Sequence, residues 1–349
     1  MKITKIPGLG RFGIFIDDVD LKTISDEEWT EIGKIHLESL VTIIRGNDLD
    51  HARYYELISK WGPSRFNRPL HFYKKYGKPL KELVLNNELD EEDKITFANG
   101  RRWQVDKKMP GMCRVTPMRN SRGQSMGVFG DGELFWHSNE CADVAFTPGV
   151  ALMGWQHMIG SSTGFCTSPD WYERQTESFR SELDEMIVIH NYQPDRLQLN
   201  PISDQEKLYK NNSCPEDNMD VPLIITSPGG IKGVHLGINT FDYINGMNKI
   251  ESDKLFAQIR KEMFTDEFIY KHHYESDKDI CIFDNSITLH NREIEKGLSP
   301  LRCGYRIQFD YDNLTDGIYQ PFRQQEYNDK RAERIRLLAV ALEGMEVKV

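Results

Sequence analysis

The segment Phe135-Trp136-His137-Ser138-Asn139-Glu140 does most to decide the fold of this chain. Its aromatic start is typical of a β-strand, and alternation along a strand would place His137 and Asn139 on one face. Ser138 and Glu140 would then lie on the other face. A histidine with a second polar side chain beside it on the same face is a candidate half of a ligand site.

A second strand-like segment, residues 279–283, is followed by Asp284-Asn285-Ser286-Ile287-Thr288-Leu289-His290. Two imidazoles and one carboxylate form the ligand set of non-haem Fe(II) oxygenases, which leaves positions open for a co-substrate and O2. Only folding can bring His137 and His290 together, and a barrel interior does so because alternate side chains point inward. The residue two positions after His137 is Asn139, which departs from that ligand set.

Composition excludes several classes of protein. The 349 residues are 39% hydrophobic and 11% aromatic, which is typical of a globular protein, and the net charge of −10 argues against nucleic-acid binding. No run of about 18 apolar residues predicts a membrane span, and residues 1–7 lack the apolar core of a secretion signal. Six cysteines without a CxxC pair favour free thiols, so a cytoplasmic protein is expected, with a homo-oligomer left open.

Periodicity and turn residues predict short strands with helices at the front, middle and end of the chain. This order predicts a mainly β, α+β fold: one domain over residues 1–349, a double-stranded β-helix (jelly roll) with peripheral helices. The polar residues 191–220 are predicted to form a flexible insertion near the pocket mouth. The predicted helices are 25–40, 48–61, 171–190, 250–264 and 324–342, and strand signals cover 41–45, 134–153, 221–225, 234–238, 279–283 and 305–309.

Two arginines follow His290 at a spacing that suits anion binding. Arg302 and Arg306 are four residues apart, so on a strand they face the same side. A guanidinium binds a carboxylate through two parallel hydrogen bonds, which suits the distal carboxylate of a 2-oxo diacid whose 2-oxo acid end chelates iron. The hydroxyl of Thr163 is a candidate to help hold the same carboxylate.

With these residues in place, the chain resembles the taurine/2,4-dichlorophenoxyacetate dioxygenase family of Fe(II)/2-oxoglutarate-dependent oxygenases. The resemblance covers most of the chain, and the order and spacing of its pieces are more specific than any single piece. The similar segments are 41–46, 61–62, 127–130, 134–138, 162–165, 245–247 with 251–252, 283–290, and the pair Arg302 and Arg306.

The resemblance implies an enzyme that uses Fe(II), 2-oxoglutarate and O2. It would hydroxylate a small anionic or zwitterionic molecule and release succinate and CO2, with no nucleic-acid or membrane partner. The residues implied to hold iron are His137, Asn139 and His290, and those implied to bind 2-oxoglutarate are Thr163, Arg302 and Arg306, the last of which could bind an anionic substrate instead. The candidate substrate contacts, taken from the region before His137 where the family has its substrate loops, are Asn67, His71, Asn99 and Arg119.

Asn139 stands where this family has an aspartate ligand, and the departure has several readings. Asn139 could coordinate through its side-chain oxygen and keep ordinary hydroxylation, or a bulge could turn Glu140 inward as the carboxylate. The missing anion could instead leave a position for chloride, as in related halogenases. A metal-free jelly-roll binding protein is the alternative from a different class. We favour coordination by Asn139, because its side chain fills the space that a halide would need.

Overall fold

The computed structural model describes residues 1–64, 68–91, 93–94, 109, 111–121, 123, 126–127, 129–130, 133–143, 146–190, 220–238, 240–293, 297–316, 319–322, 325–341 and 343, with only the backbone at 68, 69 and 71. The predicted insertion, apart from Asp220, lies outside the described residues. Asn67, Asn99 and the side chain of His71, three of the guessed substrate contacts, lie outside them too.

Helices and strands follow each other in this order. The helices are α1 (Asp26–Ser39), α2 (His51–Trp61), α3 (Arg68–Tyr76), α4 (Leu80–Leu85), α5 (Pro169–Glu173), α6 (Glu177–Glu185), α7 (Lys249–Met263) and α8 (Gln325–Ala341). The strands are β1 (Lys2–Lys5), β2 (Ile14–Asp17), β3 (Val41–Ile44), β4 (Cys113–Val115), β5 (Leu134–His137), β6 (Gly149–Gln156), β7 (Ser162–Thr167), β8 (Ile187–His190), β9 (Val221–Pro222), β10 (Ile224–Thr226), β11 (Lys232–Val234), β12 (Phe241–Ile244), β13 (Ile269–His273), β14 (Ile280–Asp284), β15 (Thr288–Arg292) and β16 (Cys303–Phe309).

Two sheets form the centre of the fold. The larger has seven strands in the order β1-β2-β3-β14-β6-β16-β4, and the smaller has four in the order β13-β7-β15-β5. All neighbours are antiparallel except β2 and β3. Sequential strands alternate between the sheets, as β5, β6 and β7 do and again β14, β15 and β16, which is the winding of a jelly roll. The fold class predicted from the sequence is confirmed.

The core between the sheets follows from strand alternation on β14. Cys281 and Phe283 point into the barrel, where they pack in one apolar cluster with Phe165 of β7. Ile280 and Ile282 point the other way, into a second cluster formed with helices α1 and α2. Because β14 is central in its sheet and buried on both faces, its residues 280–283 are all apolar. The strand therefore holds a rigid position immediately before the segment that leads to His290.

The predicted helix over residues 171–190 is wrong in its extent. Helix α5 ends at Glu173, and α6 starts anew after Thr176, whose side chain accepts the backbone N–H of Phe179 at 3.3 Å. The backbone is extended at Met186, and residues 187–190 form β8, which pairs with β12. A helix-like spacing of apolar residues continues through the break, but a new N-cap and a β-branched stretch decide the local structure.

Two helices, the membrane-span search and the cysteines can also be compared with the sequence predictions. Helix α3 was not predicted, and α7 begins at Lys249 because Asn248 caps it by accepting the N–H of Glu251. In the described part of the chain no helix is both long and apolar enough to cross a membrane. The five described cysteines are free thiols, as predicted, and Cys214 lies outside the described residues.

Candidate active site

Strands β5 and β15 bring the two predicted histidine ligands together. His137 pairs directly with His290 in the antiparallel register, so both side chains project from the same face of the four-stranded sheet. Their ring centroids are 4.1 Å apart, with 42° between the ring planes. Two residues that are remote in sequence therefore form one imidazole pair on adjacent strands.

Both histidines are kept in the neutral form that binds metals. Burial lowers the pKa of His137, and burial lowers the pKa of His290 well below its ordinary value. The Nδ1 atom of His137 lies 2.6 Å from the carbonyl oxygen of Phe135, so it carries the proton and Nε2 keeps its lone pair. Among the described residues, Nδ1 of His290 is buried without a hydrogen-bond partner. The pair fits a cation as its missing partner.

An apolar wall stands behind His290. The ring of Phe283 on β14 lies 4.7 Å from that of His290, centroid to centroid, and 5.2 Å from that of Phe165 on β7. Phe283 and Phe165 are both buried. The wall excludes water on that side of the histidine pair and restricts the rotation of the His290 ring.

Asn139 lies beside the pair, although not for the reason that the sequence suggested. Strand β5 ends at His137, and residues 139–142 form a turn, so strand alternation does not extend to Asn139. The turn nevertheless directs the Asn139 side chain to the ring of His137, where a hydrogen bond between them counters the lowering of the His137 pKa. Asn139 is buried, and its Nδ2 has no acceptor among the described residues.

Glu140, the alternative third ligand, makes a different contact. Its backbone is left-handed, with φ of 55°, and its carboxylate accepts a hydrogen bond from Nε2 of Gln308 on β16 at 3.2 Å. Burial raises the pKa of Glu140 to about 7. Within the described residues, no three His, Cys, Asp or Glu side chains are grouped so as to hold a metal ion. This is consistent with a site whose third protein group is an amide.

Arg306 faces the histidine pair from the opposite sheet. It pairs with Leu152 of β6 and with Cys113 of β4 in register, and its positive charge contributes to lowering the pKa of both His137 and His290. Its guanidinium carbon also lies 4.9 Å from the centroid of the Phe129 ring. Arg306 is therefore placed to bind an anionic group close to the two histidines.

Arg302 and Thr163 each contact a different neighbour. Nη2 of Arg302 donates to the carbonyl of Gly130 at 3.0 Å, and the side chain is buried. Oγ1 of Thr163 lies 3.4 Å from the hydroxyl of Tyr274, which sequence reasoning did not identify. A common carboxylate partner for Arg302 and Thr163 stays a prediction. Arg119 is exposed and donates to the carbonyl of Gly123.

A comparison with sequence models of protein families decides the relationship. The model described as "Taurine catabolism dioxygenase TauD, TfdA family" matches residues 2–297. The chain belongs to the TauD/TfdA family. This membership makes it an Fe(II)- and 2-oxoglutarate-dependent dioxygenase. Arg302 and Arg306 lie beyond the matched residues.

Solved structures support the fold of this TauD/TfdA member. A structure of AAD-2 in complex with Mn(II) and N-oxalylglycine is similar with a TM-score of 0.61 and 14% identity, over 92% of this chain and 100% of that one. A taurine dioxygenase from Burkholderia xenovorans is similar with a TM-score of 0.58 and 17% identity, over 88% of this chain and 89% of that one. At these identities the similarity establishes the fold alone. A search of curated proteins found no match.

Proposed function

We propose that His137, Asn139 and His290 hold the Fe(II) of this dioxygenase. The single observation that carries the proposal is the register pair of buried histidines with ring centroids 4.1 Å apart. Asn139 supports it, because its buried side chain lies against the ring of His137 while Glu140 contacts Gln308. The amide oxygen would be the third ligand atom, in a set that otherwise follows the two-histidine facial arrangement.

We propose that the reaction is hydroxylation of a small anionic or zwitterionic molecule. Iron bound with 2-oxoglutarate would supply O2 activation, with one oxygen atom transferred to the substrate and the other to succinate as CO2 leaves. Arg302 and Thr163 would hold the distal carboxylate of 2-oxoglutarate, and Phe283 would keep water away from the histidine pair. Arg306 would orient an anionic group of the substrate next to the same pair.

Glu140 supports the zwitterionic form of the substrate. Its carboxyl group interacts with the charge of Arg306 and contacts Gln308, which is two residues beyond Arg306 on the same face of β16. A permanent cation and a carboxyl group therefore lie near each other. A substrate that carries both an acidic and an amino group would complement them.

A matched pair of adjacent substitutions tests the metal site. Asn139→Asp should restore the usual carboxylate and tighten Fe(II) binding, measured by anaerobic titration in the presence of 2-oxoglutarate. Glu140→Gln should leave Fe(II) affinity almost unchanged, because the Glu140 side chain contacts Gln308 instead. The reverse pattern, in which Glu140→Gln abolishes binding and Asn139→Asp has no effect, would transfer the ligand role to Glu140.

The substrate class requires a separate measurement. Succinate release should be followed over a panel of small molecules in matched sets: an amino acid, the corresponding acid without the amino group, and the corresponding amine without the acid. The proposal expects stimulation by amino acids or acids. Stimulation by amines alone would contradict the role assigned to Arg306.

A further inference from the structure

The turn between β14 and β15 contains a fully buried side chain, Asn285, that contacts the turn carrying Asn139. Its Oδ1 accepts the backbone N–H of Asn139 at 2.8 Å. Its Nδ2 donates to the backbone carbonyls of Asn139, at 3.1 Å, and of Thr147, at 2.8 Å. Only one orientation of the amide satisfies all three bonds, since the carbonyls can only accept. The side chain thus binds both backbone polar groups of the residue proposed as the third ligand.

Two further side chains join the same two turns. The hydroxyl of Ser138 donates to the backbone carbonyl of Asn285. The ring of His235 lies 2.7 Å from the carbonyl of Ser286 through Nδ1 and 2.7 Å from the carbonyl of Cys141 through Nε2. Ser138, His235 and Asn285 are all buried. The turn carrying Asn139 is therefore attached on both sides of that residue to the turn that leads into β15.

Strand β15 carries His290, so the attachment links two proposed ligands. The chain passes from Asn285 through Ser286 and Ile287, whose backbone N–H groups both donate to the carboxylate of Asp284, and then enters β15. This hydrogen-bonded turn is a short connection whose geometry is fixed by buried bonds. A displacement of Asn285 would move the backbone of Asn139 relative to His290.

We propose that Asn285 is a positioning residue of the metal centre, which holds the backbone of Asn139 so that its carboxamide faces the cation bound by His137 and His290. The proposal rests on the proposed role of Asn139 as a ligand. A neutral carboxamide attracts a cation less strongly than a carboxylate does, so a backbone that is ordered before the metal binds matters more here. Asn285 supplies that order through its three bonds.

The main test is the affinity for Fe(II), measured anaerobically with 2-oxoglutarate, in the variants Asn285→Ala and Asn285→Asp. Asn285→Asp keeps an acceptor for the Asn139 N–H but places an oxygen against two carbonyls. Both variants should bind Fe(II) about 10- to 100-fold more weakly, which is the usual effect of losing a group that orients a ligand. The visible band of the Fe(II)–2-oxoglutarate complex should shift, which a general loss of stability would not cause.

Asn47 provides a matched control beyond the opposite end of the β3–β14 pair. It is also buried, and its side chain accepts the N–H of Leu21 at 3.3 Å and donates to the carbonyl of Arg45 at 3.2 Å. Asn47→Ala should lower the stability in urea as Asn285→Ala does, yet leave the Fe(II) affinity and the band position unchanged. If both variants weaken Fe(II) binding equally, the effect is one of general stability and the proposal is wrong.

A double-mutant cycle with Asn139→Ala separates this proposal from the one on which it rests. If Asn285 acts through Asn139, Asn285→Ala should have no further effect on Fe(II) affinity once Asn139 is alanine. Should Asn139→Ala itself leave the affinity unchanged, the ligand assignment fails and Asn285 has nothing to position. If Asn139→Ala weakens binding but Asn285→Ala does not, only the positioning role fails. If Asn285→Ala does not fold, Ser138→Ala takes its place, because it removes only the hydrogen bond to the carbonyl of Asn285. It should weaken Fe(II) binding less than Asn285→Ala would. Unchanged Fe(II) affinity in Ser138→Ala would overturn the proposal.

Discussion

Substitution of Phe283 tests whether the inner face of β14 stabilises the metal centre as well as the fold. The ring of Phe283 is buried between His290 and Phe165, at centroid distances of 4.7 and 5.2 Å. Phe283→Leu keeps an apolar side chain but removes the aromatic contacts and leaves a small cavity, so stability should fall by about 1–2 kcal/mol. Because the ring of His290 could then rotate more freely and water could reach it, Fe(II) affinity should fall by roughly tenfold.

Ile282, the preceding residue, is the matched control because it faces the opposite side. It is fully buried and packs in the cluster formed with helices α1 and α2. Ile282→Val should cost about 0.5–1.5 kcal/mol of stability, a comparable amount, with no change in Fe(II) affinity. Urea unfolding of the metal-free variants and anaerobic Fe(II) titration give the two quantities. Equal losses of metal affinity in the two variants would refute the assignment of Phe283 to the wall of the site.

Three further outcomes follow from the structure. Arg302→Ala should weaken 2-oxoglutarate binding by about 2–4 kcal/mol in a calorimetric titration, and Arg306→Ala should weaken substrate binding at least as much. Burial lowers the pKa of His36 to about 3. Below about pH 6.5 the unfolded chain therefore binds a proton at His36 that the folded chain does not, so stability is lost as the pH falls. His36→Gln should remove about 1.4 kcal/mol of the stability lost between about pH 7.5 and pH 5.5, measured by urea unfolding. Turnover with added chloride should give hydroxylated product without halogenated product by mass spectrometry, and halogenation would show that Asn139 leaves a ligand position open.

The sequence predicted the fold where side-chain patterns and packing agree. On β14 the apolar run over residues 280–283 predicts a strand, and burial of both faces explains why the run does not alternate. Around residues 171–190 the apolar spacing predicts a long helix, whereas Thr176 caps a new one and β8 pairs with β12. The cap at Thr176 and the β-branched residues of β8 are local signals of the break, whereas the pairing of β8 with β12 joins segments that no local pattern relates.

The sequence predicted which residues meet at the site better than it predicted how they are held there. His137 lies in a strand-like segment and His290 follows another, and the structure pairs them in register. Asn139 was placed on the right side by a premise that is wrong, because the strand ends at His137 and a turn directs the amide. The contacts of Tyr274 with Thr163 and of Asn285 with the backbone of Asn139 were not predicted, since a buried polar side chain far along the chain gives no signal of its contact.

The charges around the histidine pair explain what a neutral ligand changes. The positive charge of Arg306 helps to lower the pKa of both histidines, and the side chain of Asn139 is neutral. Burial raises the pKa of Glu140 to about 7, and its carboxyl group contacts Gln308. In the usual ligand set a carboxylate offsets part of the charge of the cation. With Asn139 as the proposed third ligand, that offset would come from 2-oxoglutarate and from an anionic group of the proposed substrate. We therefore expect Fe(II) and 2-oxoglutarate each to raise the affinity for the other by a larger factor than in a site with an aspartate. By linkage the two factors are equal.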